Sequence, residues 1–234
     1  MIVALAVALG AIAQSVSGVG FVLVCGPALV AALGQREGVR TALVLSMVVN
    51  AAVLINEHRH VAWRAAVTLM VPAIVTTPVA AELLQHAPVR LAEALAGAAA
   101  VLGAAALAVG LRWHAARGAV GAVGAGVLSA AMNVAAGISG PPVVLWTDNA
   151  RWPRERTRST LQVYFLAINA VALASLGLPH RPVRELALAL VAVALGLAMG
   201  SVLARRVSAV VARRTTLALA AAGGLVVLIG AALD

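Results

Sequence analysis

Long apolar runs, interrupted only by short Arg-bearing stretches, constrain this chain more than any other feature. They fall at about residues 1–33, 41–56, 65–85, 91–111, 118–147, 160–178, 186–204 and 215–233. A bilayer core about 30 Å thick needs roughly 20 apolar residues per helical span. Only 11% of the residues are charged and 63% are hydrophobic, too few polar groups to cover a water-soluble surface. The pattern predicts an all-α polytopic membrane protein of about eight helical segments, with lipid as its solvent.

All 17 basic residues are Arg, and the net charge is +9. They sit between the runs, for example Arg36 and Arg40, Arg154 to Arg158, and Arg205 to Arg214. Loops of polytopic proteins carry positive charge in this way, and nucleic-acid binding is not expected. Trp63, Trp113, Trp146 and Trp152 lie near the same breaks, as interfacial anchors do. Cys25 is the single cysteine, so there is no internal disulfide and no Cys-based metal site. No cofactor or metal is expected. The apolar N-terminus with Ala11-Ile12-Ala13 resembles a signal peptide but lacks a basic leader, and is read as part of the mature protein. The expected location is a bacterial inner membrane, as monomer or homodimer.

An offset of 119 residues sets Gln14 on Asn133, Gly18 on Gly137, Asn50 on Asn169 and Leu84 on Leu203; Arg40 meets Arg158 one residue out of step. This predicts two homologous four-segment repeats, 1–114 and 115–234, together forming one transport domain. The first segment of each is too long for one span, since thirty residues of helix measure about 45 Å. Each is also interrupted, by Ser17-Gly18-Val19-Gly20 and by Gly137-Ile138-Ser139-Gly140-Pro141-Pro142. Two prolines remove two helical donors. Each long segment is therefore read as two helices joined by a break at membrane depth, where only protein or water can satisfy the freed backbone. If the long segments cross, the repeats are parallel; if they return as hairpins, the repeats are inverted. Both satisfy the charge bias, and the breaks suit hairpins.

Matched breaks in two repeats point to a transport site. With no Lys and no Arg deep in a run, an anion would rely on backbone N–H groups and helix dipoles. The substrate-binding candidates are Gly18, Gly20, Gly137, Ile138, Ser139, Gly140, Pro141 and Pro142, with Gln14, Asn133, Asn50 and Asn169 as flanking amides and Ser17 as a further hydroxyl. Packing is the competing role for each. Glu82, in an apolar run, is the candidate proton carrier.

The Gly137–Leu145 stretch, its counterpart around Gly18–Gly20 and the four-plus-four layout resemble the sulfite exporter TauE/SafE family of sulfonate permeases. The resemblance implies a transporter of sulfite or small organosulfonates, with export the expected direction. The N-terminal copy departs from the family pattern at Phe21–Pro27. The alternatives are a transporter or channel for another small anion or metabolite, and an intramembrane serine protease built on Gly137-Ile138-Ser139-Gly140. The protease needs a His at the depth of Ser139. His58, His60, His86, His114 and His180 all lie in or beside charged stretches. No enzymatic activity is expected.

Overall fold

The computed structural model describes residues 2–18, 20–110 and 118–233; Trp113, His114 and the Ser17 side chain lie outside that description. The described residues form helices α1 (Ile2–Ser17), α2 (Phe21–Leu33), α3 (Gln35–Glu57), α4 (Trp63–Gln85), α5 (Val89–Val109), α6 (Gly118–Ala136), α7 (Gly140–Asn149), α8 (Arg154–Leu176), α9 (Val183–Leu203) and α10 (Ala209–Leu233), with a 3₁₀ turn at His58–His60. Seven are long and apolar enough to cross a bilayer: α3, α4, α5, α6, α8, α9 and α10.

Three helices start earlier than the hydropathy suggests. α3 begins at Gln35, α8 at Arg154 and α10 at Ala209, so arginines expected in loops occupy first turns. Glu37 and Glu155 in the first turns of α3 and α8 suit the positive end of the helix dipole. Pro153 before α8 fixes a compatible extended entry, and Pro88 and Pro182 do the same for α5 and α9. Hydropathy counts charge and so misses these turns.

α1 and α2 form an antiparallel hairpin: Gly10 of α1 faces Phe21 and Cys25 of α2 so closely that a Cβ would lie 2.7 Å from the Phe21 carbonyl. α6 and α7 pack on each other after a similar reversal. Two buried helices, α3 and α8, run between these hairpins. More than half of each apolar window is buried (56%), against 22% for α4 and 28% for α9 and α10, which form the rim. α3 and α8 are antiparallel. Arg158 in the first turns of α8 pairs with Glu57 at the end of α3, at 3.0 Å, while Arg40 near the start of α3 lies 3.8 Å from the Cβ position of Gly177 after α8.

Small residues set the remaining contacts. α1 crosses α9 at Gly196 and Gly200, where Cβ atoms would sit 2.5 Å from the Ala8 carbonyl and 2.6 Å from the Ser15 Cβ. Such close backbone approach maximises dispersion between helices where lipid supplies no hydrophobic drive. α5 and α10 meet at Gly97 and Gly224 by the same device. Trp146 departs from the interfacial expectation. It is buried, its Nε1–H donates to the Gly118 carbonyl, and its ring meets Trp152 edge-on. Its indole N–H found a partner inside the protein, so the ring followed it inward.

Candidate functional site

Both breaks open with the same turn. The Gly18 N–H donates to the Gln14 carbonyl at 2.8 Å, and the Gly137 N–H to the Asn133 carbonyl at 2.7 Å. Both glycines have positive φ, 86° and 71°. That left-handed geometry ends a helix and costs a side-chain-bearing residue roughly 1–2 kcal/mol.

The chain then brings the two breaks together. One small cavity, about 30 Å³, is lined by Gln14, Gly20 and Phe21 from the first break, Gly137, Ile138, Ser139 and Gly140 from the second, and Ser46, Asn50 and Phe165 from α3 and α8. The N-termini of α2 and α7 both open at this cavity, so two positive dipole ends converge there. A volume near that of one water molecule does not admit a four-heavy-atom oxyanion.

Gln14 does something the sequence did not suggest. Its Oε1 accepts from the N–H groups of Gly20 and Phe21 at 2.8 and 3.2 Å, and its Nε2 donates to the Gly18 carbonyl at 3.2 Å. The amide expected to face an anion instead caps α2 across its own break. At the second break, Ser129 donates to the Ser139 carbonyl at 2.6 Å, and no side chain of Ser139 caps α7. Pro141 and Pro142 have no N–H to offer, and they line a separate apolar groove with α5 and α6 residues such as Leu102 and Met132. Gly18 does not line the cavity either; it lies behind Gln14.

A buried polar chain joins the halves. Asn133 Nδ2 donates to Asn169 Oδ1 at 3.1 Å, and Asn169 Nδ2 and Asn50 Nδ2 both donate to Ser46 Oγ at 3.2 Å. Asn133 and Asn169 thus brace the cavity from behind rather than lining it. Asn169→Leu removes the central member and orphans Asn133 Nδ2. Each stranded buried group costs about 1–3 kcal/mol. Asn50→Leu leaves Ser46 with the Asn169 donor. A larger fall in detergent-solubilised melting temperature is therefore expected for Asn169→Leu than for Asn50→Leu, and equal falls would refute the bracing role.

Each break is also tied by the other half. Arg154 donates to the Val16 carbonyl at 2.8 Å in the last turn of α1, and Gln35 donates to the Ala135 carbonyl at 3.0 Å in the last turn of α6. Arg36-Glu37-Gly38-Val39-Arg40 and Arg154-Glu155-Arg156-Thr157-Arg158 share an R-E-x-x-R pattern. Ser46 stands one helical turn before Asn50 on the same face.

Glu82 stands apart. It is exposed at the end of α4 and faces His86 at 3.6 Å. The cavity that holds Ser139 has no histidine in its lining, and His58, His60, His86 and His180 are exposed.

The family model described as sulfite exporter TauE/SafE matches residues 2–229. Comparison with curated proteins and with solved structures gave no match.

Proposed function

Because the chain belongs to the sulfite exporter TauE/SafE family, a family of membrane transporters, we propose that it carries sulfite or a small organosulfonate anion across a bacterial inner membrane by alternating access. The observation that carries the site assignment is the meeting of both glycine breaks around one cavity, with two helix N-termini opening on it. In this reading the anion takes the place of Gln14 Oε1 on the N–H groups of Gly20 and Phe21 and is held also by backbone N–H groups near Gly140 and the Ser139 hydroxyl, with Gln14, Asn50, Asn133 and Asn169 as supporting amides. Neutral donors bind an oxyanion while leaving it free to depart, as a carrier requires.

The two halves, 1–114 and 115–234, act as inverted repeats. The antiparallel course of α3 and α8 supports this. So do the matched pairings of α1 with α9 and of α6 with α4, which exchange when each helix is replaced by its counterpart. One half rocks against the other and exposes the cavity to each side in turn. The inside-negative potential favours outward movement of an anion by about 2.3 kcal/mol per charge per 100 mV. In a proton-coupled variant of this cycle, Glu82 at the exposed end of α4 is the proposed proton carrier.

The test is uptake of radiolabelled sulfite into proteoliposomes, with and without an imposed potential, competed by taurine, sulfoacetate, sulfate and nitrate. Saturable flux competed by sulfonates and responsive to potential is expected. No flux above empty liposomes from folded protein would overturn the substrate assignment.

A further inference from the structure

A second polar cavity, about 520 Å³, opens beside the first break. Arg59, Arg154, Arg158 and His60 line it with Glu57, Glu155 and Asn56, and Ser15 and Val16 of α1 form its inner wall. It is far larger than the small cavity between the breaks. Gly18 is the partition between the two. Its carbonyl accepts from Gln14, which lines the inner cavity, and the stem of Arg158 lies against its other side, 3.0 Å from where a Cβ would be.

Arg158 is incompletely used. One of its terminal nitrogens meets Glu57 Oε1 at 3.0 Å, but its Nε and the second oxygen of Glu57 are buried with no hydrogen-bond partner among the described residues. A guanidinium presents five N–H donors in a planar fork that matches an oxyanion in bidentate fashion. Glu57 occupies part of that fork with a carboxylate, a group of the same charge and donor-seeking chemistry as a small oxyanion. Arg154 lines the same cavity while tying Val16, so a second guanidinium is fixed nearby. The three arginines outnumber the two carboxylates, which makes the cavity attractive to anions.

We propose that this cavity is a second, outer anion site, in which a small oxyanion such as sulfite displaces Glu57 from Arg158 before passing the Gly18 partition. Glu57 is a built-in competitor that holds the arginine until substrate arrives. The proposal rests on the transport reading above for the nature of its ligand, and the test separates the two.

Binding of sulfite, and separately of sulfate, is measured by isothermal titration of the purified full chain. Glu57→Gln removes the competing charge and is expected to tighten binding about fivefold, the scale of one partly exposed charge pair. Arg158→Gln is expected to weaken it by at least about as much. Opposite signs from the two partners of one ion pair cannot come from misfolding or from a merely structural bridge, which would move both the same way. Gly140→Leu, which fills the inner cavity, is expected to keep this binding and its response to Glu57→Gln. Unchanged or weakened binding in Glu57→Gln, no binding in the wild type, or complete loss in Gly140→Leu overturns the outer site. Normal flux in Gly140→Leu overturns the inner site alone.

Discussion

Proteoliposomes carrying Gly140→Leu are expected to move sulfite no faster than empty liposomes. Gly140 is the first residue of α7 and lines a cavity of about 30 Å³ with Ser139, Gly20 and Gln14. An isobutyl group there exceeds the available volume, and it lies where an oxyanion must approach backbone N–H groups closely. Overpacking a buried residue lowers stability, so a reduced melting temperature is expected, but the break lies outside the glycine contacts that join the helices and the fold should survive. Elution as a single species, together with abolished flux, is the full expected result. Flux within twofold of wild type would remove the breaks from the transport path.

The second large effect falls on folding. Gly196→Leu should yield little or no monodisperse protein. A Cβ at Gly196 would sit 2.5 Å from the Ala8 carbonyl and 2.7 Å from the Ala11 Cβ, both on α1. Backbone cannot swing aside as a flexible side chain can, so α1 and α9 must separate, at a cost of about 3 kcal/mol for an overpacked contact. Gly124→Leu is the matched control. Nothing lies within 4 Å of its Cβ position, and leucine is the better helix former by several tenths of a kcal/mol. Gly124→Leu should therefore equal or exceed the wild type in melting temperature. Similar behaviour of the two variants would mean that α1 and α9 do not pack as described.

Much of this was legible from residue types alone, for reasons that differ by element. The spans were legible because lipid imposes a length and a polarity on any helix that crosses it, and runs such as 186–204 meet both. Helix starts were not, because Arg36 and Arg154 occupy first turns whose apolar content is low. The ends of α1 and α6 could be read at Gly18 and Gly137 because backbone chemistry is local: positive φ asks for glycine, and paired prolines suit the first turn of α7, which needs no N–H there. The partners of those breaks could not. Gln14 offers the same amide to an anion or to its own backbone, and only the hairpin geometry turned it inward. The ties from Arg154 to Val16 and from Gln35 to Ala135 span more than ninety residues in sequence, so no local pattern announces them. Ser46, which receives two asparagine donors, is a lone hydroxyl in an apolar run and carries no signal until its neighbours are in place.

The antiparallel course of α3 and α8 puts Arg158 with Glu57 at one end of the bundle and Arg40 with Glu37 at the other. Under the proposed cycle, an arginine–glutamate pair at each end gives either face a charged entrance, although one pair lies within α3 and the other joins α3 to α8. The orientation of the protein in the bilayer then matters less than the gradient across it, and vesicles reconstituted with randomly inserted protein are expected to fill and empty through both populations.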